Sequence, residues 1–264
     1  MAVPSTVASV RAAVYSRAMA RIEISLPRLR SHIETLSTYG RNPDGRGITR
    51  SCWSPVHEQA RAWLLGKMKE AGLETHVDPA GNTFGRIPGD GAAVLTGSHI
   101  DTVPEGGPLD GALGVLAGLE CLQTIRQAGL SPRRPLAVVA WSDEEGRYGS
   151  LFGSRAFTGR LDPAQVPSLR SVDGESLVDA MARAGFDASK VTLARGDPRA
   201  LTRTSNCTSS RGRTWKPRGC PSGSSRASWV SAATGSPSSA SPTTPAPRRW
   251  RGARTRSWPR PSTR

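Results

Sequence analysis

The sequence predicts an α/β fold, on three observations. Short apolar runs with β-branched residues alternate with longer segments whose apolar positions recur at helical spacing. Gly and Pro punctuate the joins, and strand–helix–strand alternation is the pattern that layers helices on a sheet. Residues 1–19 form a mildly basic, Ala-rich amino-terminal extension without the continuous apolar core of a secretory leader. Ser54 is a helix N-cap with Pro55 in the first turn, and Val56, Ala60, Trp63, Leu64, Met68 and Ala71 follow at helical spacing until Gly72. Residues 94–96 and 135–140 are buried strands. Residues 111–128 form a second helix, rich in Ala and Leu and stopped by Gly129. Residues 175–184 form a third, closed by Gly185.

Chemistry collects where these strands end. His99 and Asp101 follow the first strand, Asp110 opens the second helix in an Asp-Gly turn, and Glu144 and Glu145 follow the second strand. In an open α/β sheet, loops leaving the carboxyl edge converge, so residues distant in sequence share one crevice. Imidazole nitrogen and carboxylate oxygen together suit zinc, manganese or cobalt, and a carboxylate between two cations can bridge them, which points to a dinuclear site. Asp101, two residues after His99, lies on the same side of an extended chain and can fix the imidazole tautomer. Of the two adjacent glutamates, one can ligate while the other serves as general base. A bound cation brings the pKa of water from about 15.7 towards roughly 7, within reach of a neighbouring carboxylate. The implied chemistry is hydrolysis of an amide-like carbonyl. His32, His57 and His76 lack ligand spacing and are expected on solvated surfaces. His57-Glu58 has no second histidine, so the zincin helix motif is absent. Cys52 and Cys121 are expected as small apolar residues, and four cysteines in 264 residues make no disulfide framework, so a reducing cytoplasmic setting is expected. No run is long enough to cross a membrane.

Residues 20 to about 200 resemble the amino-terminal part of the aminoacylase-like dinuclear metallohydrolases, in the hydantoinase/carbamoylase family. That family includes N-carbamoyl-L-amino-acid hydrolases, beta-ureidopropionases and allantoate amidohydrolases. The resemblance is carried in order by residues 47–50 (GITR), 78–82 (DPAGN), 97–104 (GSHIDTVP), Gly106-Gly107, 110–119, 143–146 (DEEG) and 153–157 (GSRAF). It implies a zinc-peptidase-like α/β/α catalytic domain, present here as its incomplete amino-terminal part, with His99 on one metal, Asp110 bridging, Glu145 on the other metal and Glu144 as the base. It also implies two divalent ions (Zn, Mn, Co or Ni), a small ureido or amide substrate, and a homodimer in the intact family that this chain is not expected to form. Pro108-Leu109 replaces the basic-aromatic pair common before the bridging Asp, and the loop after Glu145 is shortened.

Composition breaks near residue 200. Residues 203–264 contain no Asp or Glu but thirteen of the thirty-six basic residues; without them 23 basic residues face 21 acidic, a net charge of +2 instead of +15. The high basicity therefore belongs to residues 201–264, a low-complexity tail expected to form no core. Arg and Trp interleaved there could bind nucleic acid through phosphate neutralisation and stacking, but a frame displacement explains more. Back-translated with GC-rich codons and read one base earlier, residues 207–212 permit LHIEQG and residues 243–248 permit DHAGTT. Between them GLPIGVVEGIV is permitted, and the end permits PMAGRKDALVAAA. These strings resemble the family's next segments, in order. The frame is expected to shift between about Gly196 and Thr204, removing the later metal-binding histidines and the smaller substrate-binding domain, so the site here is incomplete. Sequencing the coding DNA across codons 190–210 is expected to reveal a lost base whose restoration gives LHIEQG; an unaltered frame in source material would make the tail genuine.

Overall fold

The structure, a computed structural model, describes residues 22–206. Capping fixes its helices. Helix α1 (Leu26–Leu36) begins after Ser25, whose hydroxyl accepts the Arg28 amide, with Pro27 in the first turn. The sequence pattern had not revealed this helix. Helix α2 (Pro55–Glu70) starts as expected, with Ser54 accepting the His57 amide at 3.3 Å, and Gly72 at φ 71° turns the chain away after it. Helix α3 (Ala112–Gln127) begins one residue later than expected, because Gly111 sits at φ 64° and acts as the N-cap. Helix α4 (Phe152–Phe157) follows the glutamate pair. Helix α5 (Leu177–Arg183) is shorter than predicted: Ser176 is its N-cap, and the Glu175 carboxylate instead accepts bonds from Tyr148 and Arg147.

Five strands form one mixed sheet: β1 (Glu74–Val77), β2 (Thr83–Ile87), β3 (Ala93–His99), β4 (Leu136–Trp141) and β5 (Leu201–Asn206), in the order β1-β2-β4-β3-β5. β1, β2 and β4 pair antiparallel, whereas β4, β3 and β5 run parallel. Only β3 and β4 announce themselves as apolar runs. Residues 201–206, placed by composition at the start of the tail, pair with β3 across a register shift at Ala93/Val94. Ladder pairing uses backbone amides and carbonyls, which a change of side chains leaves in place. The tail from 207 onward and the amino-terminal extension lie outside the described residues.

Alternation along β4 separates two cores. Val138 and Ala140 face the helices with Leu64, Met68, Val115, Leu116 and Leu119, while Ala137, Val139 and Trp141 join Phe84, Leu95 and Phe157 on the opposite face. Helix α1 is fastened to this layer by Arg28, whose Nε and Nη2 donate to the buried Glu120 carboxylate at 2.7 Å each. A further cluster around Trp53, Phe152, Leu177 and Met181 supports the segments after β4. Among the described residues no helix is long and apolar enough to cross a membrane.

A polar clamp joins the β1–β2 turn to the end of β4. Asp78 Oδ1 accepts the amides of Ala80 and Asn82 at 2.9 Å each, and Asn82 Nδ2 donates to Asp78 Oδ2 and to the Gly153 carbonyl. Asn82 Oδ1 accepts the Ser142 amide at 3.0 Å. A Cβ at Gly153 would lie 2.0 Å from Asn82 Oδ1, so only glycine admits this approach. Burial pushes the Asp78 carboxyl up to about 6, against the opposing hydrogen bonds from Asn82 and Ala80. Because the folded value is raised, the neutral form favours folding: its contribution is complete below about 3.9 and is lost as pH rises through about 6. Relative to Asp78→Asn, the wild-type chain should lose stability between pH 4 and 6, on the order of 3 kcal/mol, in urea unfolding at stepped pH. Parallel pH profiles for the two proteins would contradict this.

Candidate metal centre

Strand pairing brings the site together. β3 and β4 are parallel with His99 opposite Trp141, so residues 100–101 and 142–145 leave the sheet at the same edge. The Asp110-Gly111 turn arrives beside them at the start of α3. His99 is buried, and its Nδ1–H donates to the Asp101 backbone carbonyl at 2.9 Å. This bond fixes the proton on Nδ1 and turns Nε2 toward the carboxylates. Ligand atoms of His99, Asp110 and Glu145 all lie within 4.8 Å of one another, and Glu144 Oε2 is 3.4 Å from His99 Nε2. Gly111 makes room: a Cβ there would fall 2.4 Å from both Cε1 and Nε2 of His99.

Asp101 meets His99 through its main chain. Its main-chain carbonyl holds the imidazole, while its carboxylate Oδ1 stands 3.6 Å from Nδ1 and Oδ2 accepts the Glu145 amide at 3.1 Å. The side chain thus ties the β3 exit to the β4 exit. Burial alone would raise the Asp101 carboxyl, but the neighbouring His99 holds it below the usual carboxylate range. Burial likewise works against the His99 imidazolium, yet Asp101 and Glu144 outweigh it and push the ring up to about 9. A divalent cation would displace the Nε2 proton on binding. Glu144, half-buried, is raised first by burial and further by the charges of Asp101, Glu145 and Asp110, against the attraction of His99. A carboxylate with enhanced proton affinity beside an imidazole is suited to accepting a proton from water.

Supporting residues surround this group. Arg50 is buried, donating from Nε to the Ile100 carbonyl at 2.6 Å and from Nη1 to the carbonyls of Leu36 and Tyr39. Its amide donates to Thr102 Oγ1, so Arg50 grips the His99–Asp101 turn along its length. Burial brings its guanidinium down to about 10, opposed by the Asp101 charge. Asp143, fully buried behind the glutamates, had not been singled out from the sequence; an Asp just before a Gly-containing turn was the available signal. His57 is buried rather than solvated, with Nδ1 3.2 Å from Glu58 Oε1, and burial lowers its pKa. His32 packs edge-on to Trp63 and His76 stacks on Phe84, both half-buried by the helix layer or sheet rather than fully solvated. Cys52 is a core residue whose Sγ accepts the Asp143 amide at 3.2 Å, whereas Cys121 is exposed on α3, contrary to expectation.

One imidazole nitrogen and two carboxylates form a donor set that fits a borderline divalent cation and leaves coordination positions open. The profile of peptidase family M28 matches residues 82–219. An N-carbamoyl-L-amino acid amidohydrolase from Geobacillus stearothermophilus is 41% identical over 177 residues, covering 65% of this chain and 42% of that protein. Allantoate amidohydrolase from Escherichia coli (strain K12) is 39% identical over 156 residues, covering 57% and 38% respectively. The crystal structure of an amidase of the hydantoinase/carbamoylase family from Burkholderia phymatum superposes with a TM-score of 0.66 at 36% identity, covering 72% of this chain and 46% of that one. The chain therefore spans less than half the length of the relatives it matches.

Gly111→Ala places a methyl group against the His99 ring at a left-handed backbone position. The expected outcome is a loss of zinc affinity of about 10-fold or more, measured by competition with a chromophoric chelator. Unchanged affinity would show that His99 need not occupy this position.

Proposed function

We propose that this chain, a member of peptidase family M28 similar to amidases of the hydantoinase/carbamoylase family, carries the cation-binding half of an amidohydrolase cleaving a non-peptide C–N bond in an N-carbamoyl amino acid or related ureido compound. The observation that carries this reading is the convergence of His99, Asp110 and Glu145, with Glu144 Oε2 3.4 Å from the imidazole. In it, His99 Nε2, Asp110 and Glu145 would hold divalent metal, with Asp110 the residue that would serve both ions of a dinuclear form. Bound metal supplies Lewis acidity toward the substrate carbonyl and lowers the pKa of water.

The chain's own residues do the rest. Glu144 takes a proton from the attacking water and returns one to the departing nitrogen as the C–N bond breaks. Asp101 fixes the imidazole through its carbonyl and anchors the Glu145 amide through its carboxylate. Arg50 keeps that turn in place from beneath. The proposal includes the frame displacement: the remaining histidines and the substrate domain belong to the displaced frame, so the chain as written does not turn over. The M28 match favours a second reading, a peptidase or deacylase with the same metal group.

Ammonia release from N-carbamoyl amino acids and allantoate separates these readings. The frame-restored protein loaded with zinc, manganese, cobalt or nickel should hydrolyse at least one of them, and Glu144→Gln should slow it by about 10²–10⁴-fold. The chain as written should release none. Preferential cleavage of a dipeptide would establish the peptidase reading, and full activity in Glu144→Gln would remove Glu144 from the chemistry.

A further inference from the structure

We propose that Asp143 is the positioning residue of this site, holding Glu144 and Glu145 in their divergent directions by gathering the amides of the loop that follows them. The proposal rests on the metal-site reading above and adds a residue to which that reading gives no role. Asp143 is wholly buried and adopts a left-handed backbone, φ 48°, uncommon for a residue with a side chain. That conformation separates three successive side chains. Asp143 turns into the protein, Glu144 reaches His99 Nε2, and Glu145 joins the group with His99 and Asp110.

Every polar group of Asp143 is engaged. Its amide donates to Cys52 Sγ at 3.2 Å, and its carbonyl accepts the Phe152 amide at 3.2 Å. Its Oδ1 accepts the Arg147 amide at 2.8 Å, and Oδ2 accepts the amides of Tyr148 and Gly149 at 3.0 Å each. The neighbouring carbonyls are held too, Ser142 by the Gly153 amide at 2.8 Å and Glu144 by the Leu151 amide at 3.2 Å. The turn closes tightly, since a Cβ on Gly146 would lie 2.9 Å from the Ser150 Cα. From outside, Glu175 takes the Tyr148 hydroxyl at 2.5 Å and Arg147 Nη2 at 3.1 Å. The three carboxylate bonds are local and span only this loop, so what they determine is the path of the segment bearing both glutamates. Asparagine cannot replace the carboxylate: with one acceptor oxygen, its NH₂ must face either the Arg147 amide or those of Tyr148 and Gly149.

The test uses the full chain, with Asp143→Asn, Gly149→Pro and Glu120→Gln compared with wild type by hydrogen exchange and cobalt(II) titration. Gly149→Pro removes one of the three donors while leaving Asp143 in place, and Glu120→Gln breaks the remote pair with Arg28 as a control for general destabilisation. Asp143→Asn is expected to speed exchange across residues 143–149 by about 10-fold or more while α3 and β4 remain protected. It should also weaken cobalt binding by about 10–100-fold and alter the visible d–d spectrum. Gly149→Pro should produce a smaller change of the same kind, and Glu120→Gln should leave the cobalt spectrum and affinity unchanged. A loop as protected in both loop variants as in wild type, or an unchanged cobalt spectrum and affinity, would overturn the proposal. Wild-type cobalt binding that survives His99→Ala would instead overturn the metal-site reading, with loop exchange still deciding whether Asp143 is the tether.

Discussion

With β3 and β4 parallel and His99 opposite Trp141, two chain segments well separated in sequence leave the sheet side by side. The rest of the site depends on that pairing. A slip of one residue would turn the imidazole to the other face of the sheet and carry Asp101 away from the Glu145 amide it accepts. Small residues make the pairing and its surroundings feasible. Gly97 in β3 approaches so closely that a Cβ would meet the Val139 carbonyl, and Gly118 lets α3 lie against Thr96 and Val138. The helix that delivers Asp110 thus packs directly on the strands that deliver the other groups.

Electrostatics explains why this arrangement calls for a cation. Asp101, Asp110, Glu144 and Glu145 gather around one imidazole, and after burial the charges of Asp101, Glu145 and Asp110 raise the proton affinity of Glu144. Asp101 and Glu144 favour a positive charge at His99, pushing the ring up to about 9 against the effect of burial. A divalent ion supplies more charge at the same place and can be coordinated by the same donors. Arg50 and Arg61 are buried nearby, but Arg50 donates to main-chain carbonyls and Arg61 Nη1 to Glu58, so neither hydrogen-bonds the cluster's carboxylates through these contacts.

The legible parts of the fold were those with strong local signals. Continuous apolar runs revealed β3 and β4; a Ser-Pro start and a terminal glycine revealed α2, and an Ala- and Leu-rich run stopped by Gly129 revealed α3. β1 and β2 were hidden because an edge hairpin of mixed polarity, ETHV and TFGRI, has neither a continuous apolar run nor clean alternation. β5 was hidden by composition, since its hydrogen bonds with β3 need no particular side chains. The residues that converge at the candidate site were readable because His, Asp and Glu at strand ends combine chemistry with place. The supporting roles were less so: the bond from Asp101 to His99 comes from the main chain, and the burial of His57 depends on tertiary packing that helical spacing alone does not reveal.

Anomalous diffraction at the zinc edge, from crystals of this chain grown with zinc, tests the metal centre most directly. The account predicts an anomalous peak within coordination distance of His99 Nε2 and carboxylate oxygens of Asp110 and Glu145, absent in His99→Ala. Zinc held elsewhere, with His99 still bonded to Asp101 and no density between these three residues, would contradict it.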